Sequence, residues 1–451
     1  GGGGGMGAAM GSGSKGRWSS FTGEERPGLS SVSGKVGFEN LGNTCFMNAG
    51  LQCLCHIEPL AVYFLSGKHI SELRRSRRSR PKQQAPCMAE AFAELMRAMW
   101  FFQRPRFKPE NMHELCRQRW PSLFEDHAQQ DVQEFLTFLL SLLNEELNLV
   151  KKSASPVDRE AQRASDEKFC RDKSEEFAAA LSWLRYLEQG KSYLVDLFQG
   201  QEKSTTACHQ CGYMSRRFQP FLWLSVPIGR EMRSVHDAIA KYLQEERLIG
   251  DNQWYCKRCR CKVDAQKATA LWKLPPVLVV LLKRFEFDAA TGNSAKIGTH
   301  LRCPESIDLS KYVQSPQREA ALYDVVAVAN HHGGHHGSGH YTAFCRVGRP
   351  GGTEGGDIQG AGWLPAEGEW YEFDDSRVSL RSPSDSAVTQ DAYVLFFMRR
   401  AEDGPMIRRQ SISRPEFWPH LVSARNSAFF RYVPGQRDAP EHLAAGRLSA
   451  K

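Results

Sequence analysis

Two Cys-x-x-Cys pairs, "CHQC" (Cys208, Cys211) and "CKRC" (Cys256, Cys259), constrain this chain more than any other feature. Four thiolates are the donor set of tetrahedral structural zinc, so the two knuckles must meet in space. The stretch between them exceeds a simple zinc ribbon, and each knuckle is expected to close its own hairpin in a longer finger-like subdomain. Cys261 lies close enough in sequence to compete as a ligand. A redox pair is the rival reading of one Cys-x-x-Cys, but redox pairs do not normally come in matched twos. Four thiolates leave no open coordination position, so this metal would organise rather than catalyse.

A chain of 451 residues predicts two or three domains, or one large domain with insertions. With 41% of residues hydrophobic and 24% charged, it can bury a sizeable core. It has no uninterrupted apolar stretch of membrane-spanning length and no signal-peptide pattern, so neither a membrane nor secretion is expected. Thirteen cysteines, an odd number, then favour free thiols and metal ligation over a disulfide framework. The expected location is the cytoplasm, the nucleus or both, and the expected state a monomer. The net charge of +8 is unevenly spread, and the run Lys68 to Lys82 holds seven Lys or Arg against one Glu. A solvated surface loop is the ordinary reading of such a run. A nuclear-localisation or nucleic-acid patch is the alternative, but no aromatic residues interleave the arginines, and no nucleic-acid partner is expected.

Residues 1–35 are Gly/Ser-rich and expected to be disordered. "TCFMNAGLQCLCHIEPL" predicts a helix beginning at Cys45, capped near Thr44 and stopped by Pro59. In "DVQEFLTFLLSLLNEEL", Val132, Phe135, Leu136, Leu139, Leu140, Leu143 and Leu147 recur at helical spacing. Residues 151–176 read as a charged, irregular insertion, 348–368 as a Gly-rich loop, and 401–451 as a basic, poorly ordered tail. Between them, "PPVLVVLLKRFEF", "YDVVAVA", "YTAFCRV", "EWYEF" and "AYVLFFM" have the β-branched and aromatic content of buried strands. Helices followed by many strands predict an α+β fold with an antiparallel sheet.

A cysteine at a helix start is partly set up as a nucleophile, because the helix terminus stabilises a thiolate. Cys45 has that position; it still needs a base. "NHHGGHHGSGHYTAFCRV" offers five histidines, of which His340 opens a strand that would hold its ring firmly. His331, His332, His335 and His336 read as a solvated Gly-rich loop, with a metal site as the less favoured alternative. In "EWYEFDDSRVS", Asp374 or Asp375 could accept an imidazole N–H and fix the tautomer. The chain order Cys, His, Asp is that of papain-like thiol proteases, although each piece alone is ordinary.

These segments together resemble the ubiquitin-specific proteases. "GFENLGNTCFMNAGLQCL" is similar to the family's cysteine box, and "GHYTAF" with "WYEFDDSRVS" to its histidine box. "HAQQDVQEFL" is similar to its Gln-Gln-Asp segment, "LPPVLVVLLKRFEFD" to a further strand, and the two knuckles to its zinc-binding fingers. The resemblance implies a papain-like catalytic domain over 36–400 shaped like a hand: helical thumb (about 36–190), zinc-binding β fingers (about 198–275) and β-rich palm (about 276–400). It implies a deubiquitinase, with ubiquitin and ubiquitinated proteins as partners. Position by position, Cys45 corresponds to the nucleophile, His340 to the general base, Asp374 to the residue orienting it, and Asn40 to an oxyanion donor. Asp375 matches a neighbouring acidic position whose share in the chemistry stays open. Gln130, Asp131 and Tyr341 match positions along the ubiquitin tail, where an acid suits the tail's arginines. Phe46 and Ala49 depart from the commoner Tyr and Ser without removing a catalytic atom. A non-catalytic ubiquitin-binding scaffold, and activity on a ubiquitin-like modifier, are the alternatives.

Overall fold

The computed structural model describes residues 33–79, 87–101, 104–124, 129–150, 156–288, 293–316, 321–335, 338–348, 368–382 and 386–400. The expected disordered N-terminal segment up to residue 32, the tail 401–451 and most of the Gly-rich stretch 348–368 lie outside these residues.

The Cys45–Cys55 helix is buried along its whole length, because its sequence carries no charged residue to turn toward water. On one side it meets the Val132–Glu146 helix, whose Val132, Phe135, Leu136, Leu139, Leu140 and Leu143 form one apolar stripe. Gly50 permits that approach, since a Cβ there would stand 3.2 Å from the Phe135 ring. On the other side it packs against a strand pair whose Ala327, Ala329, Tyr341, Ala343 and Cys345 join the same core. Each fully buried Leu or Phe of this layer contributes roughly 1.5–3 kcal/mol.

Those strands belong to an eight-stranded sheet. Its order is Arg377–Leu380, Glu369–Asp374, Ser338–Val347, Leu322–His335, Ala392–Arg399, Val277–Lys283 and Trp223–Pro227, with Ser306–Asp308 pairing off Leu322–His335. The opposite face buries a second core that includes Val325, Val328, Phe344, Leu395 and Phe397. A separate four-stranded sheet carries Met214–Phe221, Gly200–Cys208, Ala265–Lys273 and Glu246–Leu248 in that order. The short hairpin of Trp254–Cys256 with Cys261–Val263 adjoins its tip. The α+β expectation therefore holds.

Several local expectations are corrected. The main sheet is not wholly antiparallel: Val277–Lys283 pairs in parallel with Trp223–Pro227, a crossover that strand composition does not encode. Pro59 lies in the first turn of the next helix, Glu58–Leu65, where its missing N–H costs nothing. Within the arginine-rich run, residues 68–79 form the helix Lys68–Ser79, not a loop, because His69, Leu73 and Ser76 fall on one buried face; residues 80–82 lie outside the described residues. The segment expected to be an irregular insertion contains the helix Pro156–Phe169, which a second helix, Glu175–Leu187, supports. The histidine-rich stretch is strand through His335, and His331 is only 1% exposed; His336 lies outside the described residues. Among the described residues no helix is long and apolar enough to cross a membrane.

Candidate active site

Cys45 occupies the first position of its helix, with Thr44 at the N-cap. As at any helix start, the first N–H groups lack intrahelical acceptors and face outward. The Thr44 hydroxyl does not cap the helix; it accepts from Leu41 N–H (2.9 Å) and so closes the preceding loop. Asn40 braces the same loop, its Oδ1 accepting from Gly42 N–H at 3.0 Å and Thr44 N–H at 3.1 Å.

His340 stands near the start of the Ser338–Val347 strand, and Asp374 ends the neighbouring strand Glu369–Asp374. The ring Nε2 lies 2.6 Å from Asp374 Oδ1. Assigning the N–H to Nε2, which donates to Asp374, leaves Nδ1 on the other side of the ring. The nearby Cys45 thiol first, and then the bond to Asp374, outweigh partial burial and push the His340 pKa up to about 9. At neutral pH this arrangement favours an imidazolium beside the thiol, as thiolate chemistry requires.

Two glycines set the approach of the strands. Gly339 has φ +148, and a Cβ there would strike the His332 carbonyl oxygen and the His331 ring. Gly333, at φ +150, faces the Ser338 carbonyl in the same hairpin. Only a backbone without Cβ presents His340 at this position.

Asp375 has a carboxylate oxygen within 4.8 Å of a His340 ring nitrogen, yet its hydrogen bonds go to other partners. Its φ of +49 places it in the left-handed region, so its carboxylate points to the Cys45 loop. Oδ2 accepts from Asn40 Nδ2 at 2.9 Å and Oδ1 from Asn48 Nδ2 at 2.8 Å. The Asp375 carbonyl also accepts from Phe38 N–H (2.9 Å). Adjacent aspartates thus bond different partners: Asp374 the imidazole, Asp375 the amide of Asn40.

The Gln-Gln-Asp segment contributes differently from expectation. Gln129, which sequence reasoning did not single out, directs Nε2 to the Cys45 sulfur at 3.9 Å; its neighbour Gln130 is half-buried. The only available signal was Gln129's place in the same motif. Asp131, which matches a position along the ubiquitin tail, is 4% exposed and caps the Val132–Glu146 helix. Its Oδ1 accepts from Gln133 N–H (2.6 Å) and its Oδ2 from the Tyr393 hydroxyl (2.8 Å). A carboxylate before an amphipathic helix is drawn to the free N–H groups, which outcompete solvent for it. Tyr341 is 2% exposed, packs on the His331 ring at 4.8 Å, and has its hydroxyl pKa raised by burial and then by the Asp131 charge.

The four knuckle cysteines converge at the fingertip. Sγ atoms of Cys208 and Cys259 are 3.9 Å apart, those of Cys211 and Cys256 3.6 Å, and all four lie within 4.8 Å of one another. A tetrahedron with metal–sulfur bonds near 2.3 Å spaces its sulfurs by about 3.8 Å, so the cluster fits. Cys211 and Cys259 N–H groups donate to the sulfurs of Cys208 and Cys256 (3.4 Å each), as thiolates would invite. Cys261 is exposed and stands outside the cluster. No cysteine among the described residues is paired in a disulfide.

One face of the four-stranded sheet lines a hollow of about 650 Å³, through Glu202, Ser204, Thr206, Arg217, Gln219 and Lys267. The hollow is polar and broad, which suits a folded protein surface better than a small apolar ligand.

Comparison with known proteins agrees with this geometry. The family model "Ubiquitin carboxyl-terminal hydrolase" matches residues 36–397. Ubiquitin carboxyl-terminal hydrolase 2 of Bos taurus is 34% identical over 384 residues, covering 84% of this chain and 57% of that protein. Ubiquitin carboxyl-terminal hydrolase 21 of Mus musculus is 32% identical over 384 residues, covering 82% and 62%. The chain thus spans little more than half the length of these relatives. Among solved structures, the Ubp8-containing SAGA DUB module bound to monoubiquitin superposes with a TM-score of 0.61 at 21% identity, covering 84% of this chain and 72% of that one. The module bound to ubiquitin aldehyde gives 0.59 at 21% identity, covering 83% and 71%. These superpositions establish the fold: a helical layer, a palm-like sheet and a finger-like sheet.

Proposed function

Because the chain belongs to the ubiquitin carboxyl-terminal hydrolase family, we propose that it is a cysteine-type deubiquitinase, cleaving the bond after the C-terminal glycine of ubiquitin. The observation that carries this reading is the imidazole of His340 held between the Cys45 sulfur and the Asp374 carboxylate. With its proton already held by His340 as the imidazolium, Cys45 attacks the glycine carbonyl as the thiolate, forming the S–C bond while the carbonyl electron pair moves to oxygen. The second Nδ2 hydrogen of Asn40, and N–H groups at the helix start, stabilise that oxyanion. As the C–N bond breaks, the leaving amine takes the proton from His340. A water then gives one proton to His340 and attacks the thioester carbon; the C–S bond breaks to return the Cys45 thiolate, and ubiquitin leaves as the acid, which loses its last proton to solvent.

Asp374 keeps the ring in its tautomer, and Asp375 aims Asn40. Asp131, Gln130 and Tyr341 shape the wall along the tail, with Asp131 acting through the helix it caps. Cys208, Cys211, Cys256 and Cys259 hold one zinc ion, which would cross-link the fingertip and take no part in the reaction. The segments 36–190, 198–275 and 276–400 serve as thumb, fingers and palm, in a monomer of the cytoplasm, nucleus or both.

Ubiquitin carrying a C-terminal electrophile tests the reading: peptide mapping should find the adduct on Cys45. Labelling of a different thiol, or no labelling, rejects it. Parallel cleavage of ubiquitin and ubiquitin-like fusions separates the modifier classes.

A further inference from the structure

The strands of the finger sheet present alternate residues to opposite faces. Glu202, Ser204, Ser215, Arg217 and Gln219 line the hollow. Gln201, Lys203, Arg216 and Phe218 therefore face the other way, and there the Pro156–Phe169 and Glu175–Leu187 helices lie. The second helix is fastened to the root of the sheet. Ala179 packs with Phe218 and Trp272, the Ser182 hydroxyl donates to the Phe218 carbonyl at 2.8 Å, and Gln201 Nε2 donates to the Ala179 carbonyl at 3.0 Å. Lys203 pairs with Glu175 at 3.0 Å.

The first helix is joined to the second by a two-bond fork. Arg185 Nε and Nη2 donate to Asp166 Oδ2 (2.9 Å) and Oδ1 (3.3 Å), both side chains less than a quarter exposed. Phe169 and Phe177 close the corner between the helices with ring centroids 5.9 Å apart. The far end of the first helix then reaches the metal knuckle: Glu167 pairs with Lys257 (2.6 Å), the residue after Cys256, and the Arg171 carbonyl accepts from Arg216 (3.4 Å). A continuous chain of contacts thus runs behind the hollow from root to tip.

We propose that this helix pair is a strut that fixes the angle of the fingertip, so that Asp166, Arg185, Glu167 and Lys257 are positioning residues for the folded body of the substrate and not for bond cleavage. The proposal rests on the deubiquitinase reading and takes the folded body of ubiquitin to sit in the hollow. It assigns a role to a segment whose sequence reads as an irregular insertion. Loosening the strut weakens capture of a folded substrate and leaves the Cys45–His340 chemistry intact, because no strut residue touches that site.

The test compares wild type with Asp166→Ala, Glu167→Lys, Lys257→Glu and the Glu167→Lys/Lys257→Glu double variant. Each is assayed on ubiquitin carrying a C-terminal fluorophore and on a short C-terminal tail peptide carrying the same fluorophore. The single variants should raise KM for the ubiquitin substrate about two- to fivefold, the range of one ion pair of intermediate exposure, and leave kcat and peptide turnover unchanged. The double variant should return KM to within about twofold of wild type. Hydrogen exchange of residues 208–214 and 254–263 in the free protein should accelerate in each single variant and recover in the double one. Unchanged exchange and KM, or equal losses on both substrates, overturns the strut. If the wild type cleaves no ubiquitin substrate, the deubiquitinase reading fails instead, and hydrogen exchange still decides whether the strut holds the tip.

Discussion

Replacing Asp375 by Ala separates two carboxylates that are neighbours in sequence. Asp375→Ala removes the acceptor for Asn40 Nδ2 (2.9 Å) and for Asn48 Nδ2 (2.8 Å). Each hydrogen bond to a charged group is worth about 1.5–3 kcal/mol when shielded; for this partly exposed carboxylate the two together come to about 2–4 kcal/mol. Alanine at φ +49 adds about 1 kcal/mol of backbone strain, which Asn at the same position largely avoids. Asn48 keeps two weaker contacts, to the Phe38 and Glu39 carbonyls at 3.3 Å each, so its helix should stay folded. Asn40 keeps the bonds its Oδ1 accepts from Gly42 and Thr44 N–H, but its Nδ2 loses the acceptor that aims the second hydrogen. The expected result is a fall in kcat approaching the factor of about 10²–10³ that accompanies loss of an oxyanion donor, with KM for a ubiquitin–fluorophore substrate little changed. The alkaline limb of the pH–rate profile should stay near pH 9, because His340 retains both Cys45 and Asp374. Asp375→Asn, which can accept only one of the two bonds, should fall between Ala and wild type. A kcat within threefold of wild type, or an alkaline limb displaced downward in Asp375→Ala, would refute the assignment of Asp375 to Asn40.

Asp374→Ala should do the opposite, moving the alkaline limb to lower pH because one cause of the raised His340 pKa is gone, and lowering kcat by up to about 10⁴ through loss of the tautomer. The sign for stability follows from the same shift: the raised His340 pKa adds stability that is fully present below pH 6.5 and disappears as the pH rises through about 9, a trend that pH-dependent urea unfolding would reveal. Asp131→Ala should lower the urea midpoint by an amount equivalent to about 1–2 kcal/mol, since a helix cap and the Tyr393 bond are lost together; an unchanged midpoint would contradict the capping geometry. Cys256→Ser, or strong chelation, should release one equivalent of zinc and accelerate hydrogen exchange at both knuckles, while the Cys45–His340 pair still reacts with a small alkylating agent. Gly339→Ala should reduce kcat at least tenfold, because a Cβ there meets the His332 backbone and the strand must shift before His340 can be presented.

Legibility in the sequence followed the range of the interactions involved. The Val132–Glu146 helix was readable because the apolar positions from Val132 to Leu147 recur at helical spacing, and the strand-forming runs because their composition is unlike that of the loops between them. The four-cysteine cluster was readable because four thiols in paired spacing have few uses besides holding a metal, and the structure brings those four sulfurs together. The arginine-rich helix was missed because its inward face carries only His69, Leu73 and Ser76, too few apolar residues to register against so much charge. Pro156–Phe169 was missed for a related reason: its stabilising partners, Arg185, Phe177 and Lys257, lie outside its own periodicity.

The sequence by itself determined which chemical groups are available: a thiol at a helix start, an imidazole opening a strand, two adjacent carboxylates, four clustered cysteines. Tertiary structure alone decided how those groups divide the work. Asp374 and Asp375 are identical side chains in consecutive positions, and nothing local distinguishes them. The register that sets Asp374 opposite Arg377, and the left-handed turn at Asp375, send one carboxylate to His340 and the other to Asn40. Likewise Gln129 meets the Cys45 sulfur and Gln130 does not, because the direction of a side chain depends on backbone dihedrals fixed by distant packing.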